Sequence, residues 1–385
     1  MSEVAHTPQL RFPEFIGEWD VTNFGNISSI KRGASPRPIS SPKWFDKDSS
    51  VGWVRISDVT KSKKYLKKTE QYLSEDGINR SRKVDKGNLI MSICATIGKP
   101  IYTNFNVCIH DGFIVFDSLS EDKGFIYYLL EKIQKKWYRY GQPGTQVNLN
   151  SDIVSSEIFS IPTKPEQQKI AAFLTAVDNK IEQLSKKQEL LGEYKKGSMQ
   201  QIFSQAIRFK ADDGSEFPDW EEKKLRDVAK ITTGSSNRED SGLDGQYTFF
   251  DRSEDIRTSD RYLFDGKAVI VAGEGSRFPP KYFEGKFDLH QRTYAIMEFV
   301  EANSKYIFYF VDKQKNYLLR YAVGSTVKSL RLPIFQKMPV SLPSLPEQTK
   351  IANFLSSIDN KIEQVGGQLD KSKQFKKALL QQMFV

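Results

Sequence analysis

A 20-residue stretch of this chain occurs twice. PEQQKIAAFLTAVDNKIEQL, from Pro165 to Leu184, returns as PEQTKIANFLSSIDNKIEQV from Pro346 to Val365, with 14 of 20 positions identical at a constant offset of 181 residues. The echo continues downstream, where KKGSMQQIF at Lys195 to Phe203 returns as KKALLQQMF at Lys376 to Phe384. It also runs upstream: FPEF at Phe12 answers FPDW at Phe217, and FGNISSIKRG at Phe24 answers LRDVAKITTG at Leu225. A repeat of this length with unlike sequence between its copies restricts the chain to two similar modules, each joined to a similar helix. At 385 residues there is enough chain for two or three domains with cores of their own.

The repeated stretch carries a helical seam. In the first copy Ile170, Leu174, Val177, Ile181, Leu184 and Leu191 step by fours and threes, Phe173 lies beside them, Gln188 interrupts and Ile202 resumes. The second copy gives Ile351, Leu355, Ile358, Ile362, Val365, Leu369, Leu379 and Met383, with Phe354 at the matching place and Pro346 and Glu347 suited to a first turn. That is a coiled-coil seam, and both helices therefore want partners. A helix over residues 166–205 would be about 60 Å long at 1.5 Å per residue, the length of a spacer. Gly366-Gly367 inside the second helix is expected to loosen or kink it.

The segments before each helix alternate like short strands, at 52–56, 88–93, 113–116, 268–272 and 293–297, punctuated by Lys86-Gly87-Asn88 and Asp265-Gly266-Lys267. Helical stretches follow at 124–140 and 304–321. Both modules therefore read as α+β. The expected division is a first recognition module at 1–164, a helix at 165–205, a second module at 206–345 with a linker at 206–216, and a helix at 346–385.

Sites of catalysis are missing from the pattern. The run Phe278-Pro279-Pro280-Lys281-Tyr282 lacks the polar residue that an adenine methyltransferase motif places before its prolines. No GxxxxGK loop exists to cradle a phosphate, and Gly273-Glu274-Gly275-Ser276 reads as a turn. Asp219 and Glu221-Glu222-Lys223 lie too close in sequence to sit on separate strands around one metal, and read as a solvated run. Three histidines, His6, His110 and His290, are too few for a zinc cluster. Cys94 and Cys108 sit in apolar runs without CxxC spacing and read as reduced, packed thiols. No apolar stretch reaches the roughly 20 residues of a membrane span, and a cytoplasmic protein is expected.

What remains is basic. Lys and Arg number 57 against 48 Asp and Glu, a net charge of +9, the sign expected of a nucleic-acid binder. Both variable modules carry the excess. Candidate DNA contacts in the first are Arg37, Arg55, Lys61, Lys63, Lys64, Arg80, Arg82, Lys99, His110 and Thr145, with Lys67 and Lys68 in the same cluster. In the second they are Arg252, Arg257, Arg277, Lys281, His290, Arg292, Thr326 and Lys328. Lysines neutralise phosphates, whereas arginines on structured loops can fork to guanine. His110 and His290 lie at corresponding places, each expected after a turn, at a strand start.

Taken together, the PEQxKIAxFL helix starts, the FP-aromatic module entries and the GTQVNL and GSTVKSL segments resemble the specificity subunit of type I restriction-modification enzymes, over essentially the whole chain. The resemblance implies two target-recognition domains separated by two long antiparallel coiled-coil helices in a pseudo-twofold internal repeat. Each domain would read one half of an interrupted site on double-stranded DNA. The helices would set the gap and dock two modification subunits, which carry S-adenosylmethionine; two restriction subunits would bring ATP and Mg. The chain itself would hold no cofactor, no metal and no catalytic residue, and would not contact a membrane. Gly144-Thr145 and Ser325-Thr326 map onto the loops before each repeated segment. Arg331-Leu332-Pro333 departs from Asn150-Ser151-Asp152 in the first copy, and a shared backbone geometry is not expected there. The competing reading is a coiled-coil adaptor whose modules bind proteins, with a free-standing restriction enzyme ranked last.

Overall fold

The structure is a computed structural model that describes residues 7–140, 149–253 and 255–385; Gly144 and Thr145 fall outside the described residues. It divides into two compact units, Met1–Leu184 with Gln368–Val385, and residues 185–367. The two long helices, Lys164–Phe203 and Leu345–Gln382, are each shared between the units. This partition differs from the four consecutive segments expected from the sequence, because each unit is built from one recognition module, the start of its own helix and the end of the other.

In the first unit the strand Asp20–Asn23 pairs antiparallel with Ile158–Ile161, the strand that leads into the long helix. A five-stranded sheet runs in the order Ser29–Arg32, Phe113–Asp117, Leu89–Ser92, Pro100–Thr103, Tyr65–Leu66. A four-stranded sheet places Gly52–Val54 parallel to Val107–Ile109. Leu89–Ser92 and Pro100–Thr103 are buried along their whole length, which corrects the alternation expected over 88–93: both faces of these strands are covered. The helix Lys123–Ile133 buries Phe125, Leu129 and Leu130, together with Ile170 and Leu174 of the long helix and Leu379, Met383 and Phe384 of the returning one.

The second unit repeats this plan. Glu221–Lys224 pairs with Pro339–Leu342, and a six-stranded sheet runs Lys230–Thr233, Thr293–Met297, Phe264–Ala272, Lys281–Leu289, Tyr247–Phe250, Arg257–Ser259. The helix Ser304–Lys313 packs with Ile351, Leu355 and Ile358, and with Met199 and Ile202 from the end of the first long helix. Leu174 and Leu355 are fully buried, each worth about 2 kcal/mol of apolar transfer. Ile170, Leu174, Ile351, Leu355 and Ile358 are thus buried against the modules, with Phe173, Val177, Ile181, Phe354 and Ile362 only partly covered.

The second long helix continues through Gly366-Gly367, where a glycine pair lowers helix propensity by about 2 kcal/mol and the flanking Val365 and Leu369 are buried. One sequence expectation is corrected here. Arg331-Leu332-Pro333 does share the geometry of its counterpart. Arg331 takes extended backbone before the short helix Leu332–Gln336, as Asn150 does before Ser151–Ser156, although only Asn150 also caps with its side chain; Pro333 sits in the first turn, where its missing N–H costs no hydrogen bond.

The repeated PEQ motif is a lock between helix and module. Glu166, almost fully buried, receives Arg11 Nε at 2.7 Å and Nη2 at 2.8 Å. Glu347, also buried, receives Arg208 Nη2 at 2.8 Å and Nε at 3.2 Å, and Trp220 Nε1 at 3.2 Å. Gln167 accepts the Asp122 N–H at 3.0 Å and donates to Pro162 O at 2.8 Å; Gln348 accepts the Asn303 N–H at 2.7 Å and donates to Pro343 O at 2.8 Å. Asp122 and Asn303 cap the module helices Lys123–Ile133 and Ser304–Lys313, so a buried amide ties the start of each long helix to the start of the helix it packs on.

A second lock lies three turns further on. Tyr128 donates to Asp178 at 2.7 Å, and Lys376 from the returning helix reaches the same carboxylate at 2.8 Å. Tyr309 donates to Asp359 at 2.7 Å, and Lys195 reaches it at 2.6 Å. The three corresponding pairs, Tyr128 and Tyr309, Asp178 and Asp359, and Lys195 and Lys376, obey the 181-residue offset.

Candidate nucleic-acid interface

In each module a strand whose last three residues are buried runs up to a histidine. Val107–Ile109 ends before His110 and Lys281–Leu289 before His290, so both residues open the turn that leads into the next strand. This corrects the expectation that they follow a turn at a strand start. Each ring is fixed the same way: His110 Nδ1 accepts the Gly112 N–H at 2.8 Å, and His290 Nδ1 accepts the Arg292 N–H at 3.0 Å. Nδ1 is an acceptor in both, which leaves the ring proton on Nε2. Burial pushes both imidazoles below their ordinary pKa, against the pull of Asp111 and Asp251 respectively. The neighbouring glycines explain the repeated IKRG and ITTG ends. A Cβ on Gly33 would lie 2.0 Å from His110 O, and one on Gly234 1.6 Å from Leu289 O.

Around His110 the first module gathers arginine. Arg32 Nε donates to Asp111 O at 2.7 Å, and Arg82 Nε donates to Arg32 O at 2.6 Å. Arg37, largely exposed, lies 3.9 Å from the Asp111 carboxylate, which also accepts from Ser35 Oγ at 3.0 Å. Arg55 donates from Nε to Gln71 Oε1 at 3.0 Å and is close enough to act on the His110 ring. Tethering by a single nitrogen holds an arginine in place while leaving its remaining N–H groups for a ligand.

The second module builds a different surface on the same turn. Glu274 sits between Arg252, at 2.6 Å, and Arg292, at 2.9 Å. The strand Lys328–Ser329 pairs with Glu274–Gly275, which brings Lys328 and the exposed Thr326 loop to this edge. Gln291 Nε2 donates to Asn237 Oδ1 at 2.5 Å. Beneath it the fully buried Asp288 accepts from Ser236 Oγ at 2.6 Å and Ser259 Oγ at 2.8 Å. Asp251, Arg252, Arg277 and Lys281 line a small cavity of about 140 Å³, where Lys281 Nζ also donates to Ser253 O at 3.0 Å.

The structure therefore brings together Arg37, Arg55, Arg82 and His110 in one module, and Arg252, Arg277, Lys281, His290, Arg292, Thr326 and Lys328 in the other. Arg257, on the outermost strand, donates to Ser241 Oγ at 3.2 Å, and Arg80 lies over the Trp44 ring at 5.7 Å. Lys61, Lys63 and Lys64 form a separate group beside the long helix. Lys64 is half-buried, donating to Tyr128 Oη at 2.9 Å and Thr175 Oγ1 at 3.0 Å. Lys99 donates to Val59 O at 2.7 Å and Ser62 O at 2.8 Å, closing the end of the helix Ile56–Lys61. Asp111 and Glu274, which position the arginines, went unnoticed in the sequence; an acidic residue among basic ones is indistinguishable there from ordinary surface charge.

Cys94 and Cys108 are free thiols, and burial pushes Cys108 up to about 12. Among the described residues no group of three or more His, Cys, Asp or Glu side chains is placed to hold a metal ion, and no helix is long and apolar enough to cross a membrane.

Two modules with unlike basic surfaces on a common helical frame define a class of protein that reads a ligand at two places. Comparison with known proteins gives the family: residues 16–191 and 218–371 match the family described as type I restriction modification DNA specificity domain, and the chain belongs to it. The specificity subunit of the EcoDI type I restriction enzyme of Escherichia coli is 31% identical over 42% of this chain and 37% of its own length. That of MjaVIII from Methanocaldococcus jannaschii is 24% identical over 92% of this chain and 88% of its own length. A crystal structure of a type I specificity subunit from M. genitalium superposes with a TM-score of 0.66 over 98% of this chain and 99% of that one, at 15% identity, a likeness of fold. A chain from a study of type I complex assembly and conformational transition superposes at 0.55, over 94% and 96%. The chain is accordingly a protein of the type I restriction modification DNA specificity family, matched in both of its modules.

Proposed function

We propose that the chain directs a type I restriction-modification complex to a bipartite site on double-stranded DNA, each recognition module reading one half. The observation that carries this is the pair of histidine turns: one backbone frame, fixed twice by the same Nδ1 bond, presents Arg55 and Arg37 in one module and Arg252, Arg292 and Lys328 in the other. Equal frames with unequal side chains suit two dissimilar half-sites held at a fixed helical phase. Arginines already oriented by Gln71 and Glu274 fit bidentate contact with base edges. The recognition modules are residues 1–164 and 206–345, and the exposed faces of the helices at 165–205 and 346–385 set the gap and dock two modification subunits. S-adenosylmethionine enters with those subunits, and ATP and Mg with two restriction subunits, in the cytoplasm.

Replacing Arg55 with Ala should relax one half of the methylated motif, and Arg252→Ala the other, when the complex is assembled with its modification subunit. Each lost bidentate contact is worth about 1–3 kcal/mol of base discrimination. Relaxation of both halves by either variant would overturn the assignment of one half to each module.

A further inference from the structure

The lysine cluster of the first module does not belong to the histidine turn, and it has no counterpart in the second. Between strands Gly52–Val54 and Gln71–Tyr72 the first module inserts residues 55–70, holding the helix Ile56–Lys61 and the strand Tyr65–Leu66. Between the equivalent strands Tyr247–Phe250 and Arg257–Ser259 the second has only residues 251–256. The insertion forms one wall of an open groove of about 1010 Å³ whose other wall is the long helix at Asp178 to Glu182 with Lys373 and Lys376.

Eight lysines and no arginine line this groove, against five carboxylates. Most of the carboxylates are already engaged: Glu70 with Lys61 at 2.6 Å, Glu131 and Asp178 with Lys376 at 2.8 Å, and Asp58 with the Arg55 and Glu70 amides. Lys63, Lys67 and Lys68 are exposed, and among the described residues their ammonium groups have no hydrogen-bond or ion-pair partner. The groove thus has positive charge to spare. Beside these lysines stands an aromatic column, Tyr65 on Tyr102 at 5.5 Å and Tyr102 on Tyr127 at 5.3 Å, both stacked, with Tyr65 46% exposed at its open end. The groove continues the reading face directly, since Arg55 bonds Gln71 and the adjacent Glu70 bonds Lys61.

We infer that this groove is a sequence-independent clamp for the sugar-phosphate backbone of duplex DNA flanking the half-site read by the first module. Lysines act as point charges that tolerate any phosphate spacing, whereas base readout favours the arginine fork found at the histidine turn. The exposed Tyr65 face offers a sugar or base an apolar contact between the charges. This rests on the DNA-reading function proposed above and adds an asymmetry to it: the first half-site is gripped beyond its edge and the second is not.

The test is a salt titration of the full chain on duplex DNA of arbitrary sequence, comparing wild type with a Lys63→Ala, Lys67→Ala, Lys68→Ala triple variant. A control with Lys47→Ala, Lys313→Ala and Lys337→Ala removes the same net charge from exposed positions outside the groove and off the long helices. Each phosphate contact contributes about 0.9 to the log–log slope, so the groove variant should lose roughly 2–3 from it while the control keeps the wild-type slope. An unchanged slope, or an equal loss in the control, overturns the clamp. If the groove variant keeps its slope but fails to assemble with the modification subunit, the groove is a protein-docking surface instead. Failure of the wild-type chain to bind duplex at all, alone or assembled, would count against the DNA-reading function itself.

Discussion

Arg11 and Arg208 grip Glu166 and Glu347 with matching pairs of hydrogen bonds, yet they arrive from different places. Arg11 precedes the FPEF entry directly, whereas Arg208 lies nine residues before Phe217 and donates also to Phe217 O and Pro218 O. The acceptor is fixed by the repeat and the donor is not. The same division holds through both units. The acceptors that join helix to module are duplicated, while whatever the strand ends present is free to differ. A buried carboxylate imposes this, because it cannot be left unpaired, but any chain route that delivers a guanidinium satisfies it.

The sharpest way to press the comparison is to ask whether one unit's parts serve the other. The KKGSMQQIF end of the first long helix occupies in the second unit the place that KKALLQQMF occupies in the first. Residues 1–210 therefore hold a module, its helix start and a usable helix end, and two such chains should complete each other as a dimer. Light scattering showing monomer alone would deny the equivalence.

Breaking the locks comes next in size. Glu166→Ala and Glu347→Ala each remove a buried acceptor and strand a partly exposed arginine, so each should cost about 2–4 kcal/mol, seen as a lowered thermal midpoint of the unit concerned. A silent substitution at one site would show that the two locks are alike in geometry only. Tyr128→Phe and Tyr309→Phe should cost less, about 1–2 kcal/mol. The effect should be larger at Tyr128, whose oxygen also serves Lys64 and whose partner Asp178 is 20% exposed against 35% for Asp359.

The histidine turns give the smallest effect. Both folded pKa values lie below the ordinary value near 6.5, so the unfolded chain binds more protons as the medium acidifies. Their contribution is present above about pH 6.5 and is lost as pH falls through the folded values. His110→Gln keeps an acceptor for the Gly112 N–H and removes that acid loss, raising the midpoint at pH 5.5 relative to wild type by about 1–2 °C. An unchanged difference between pH 7.5 and 5.5 would contradict it.

How far the sequence was legible follows the same division. The helices, the strand positions and the α+β plan were readable because period and repeat report burial, and burial is what the duplicated frame is made of. The place of Pro333 was misjudged because proline's cost depends on whether it falls in a first turn, which spacing alone does not tell. At the reading surface, basic enrichment pointed to the right modules but not to the right residues. Arg252 and Arg292 meet through Glu274, and Arg55 is set by Gln71, pairings between strands that no local pattern announces.

The central claim is that two independent readers share one frame, and the most direct test is the genome-wide map of adenine methylation in cells with and without this chain, its modification subunit being present in both. The account predicts that methylation at a single motif of two specified halves separated by a fixed unspecified gap depends on the chain. Methylation unchanged by its removal while the modification subunit is active, or confined to one uninterrupted motif, would contradict it.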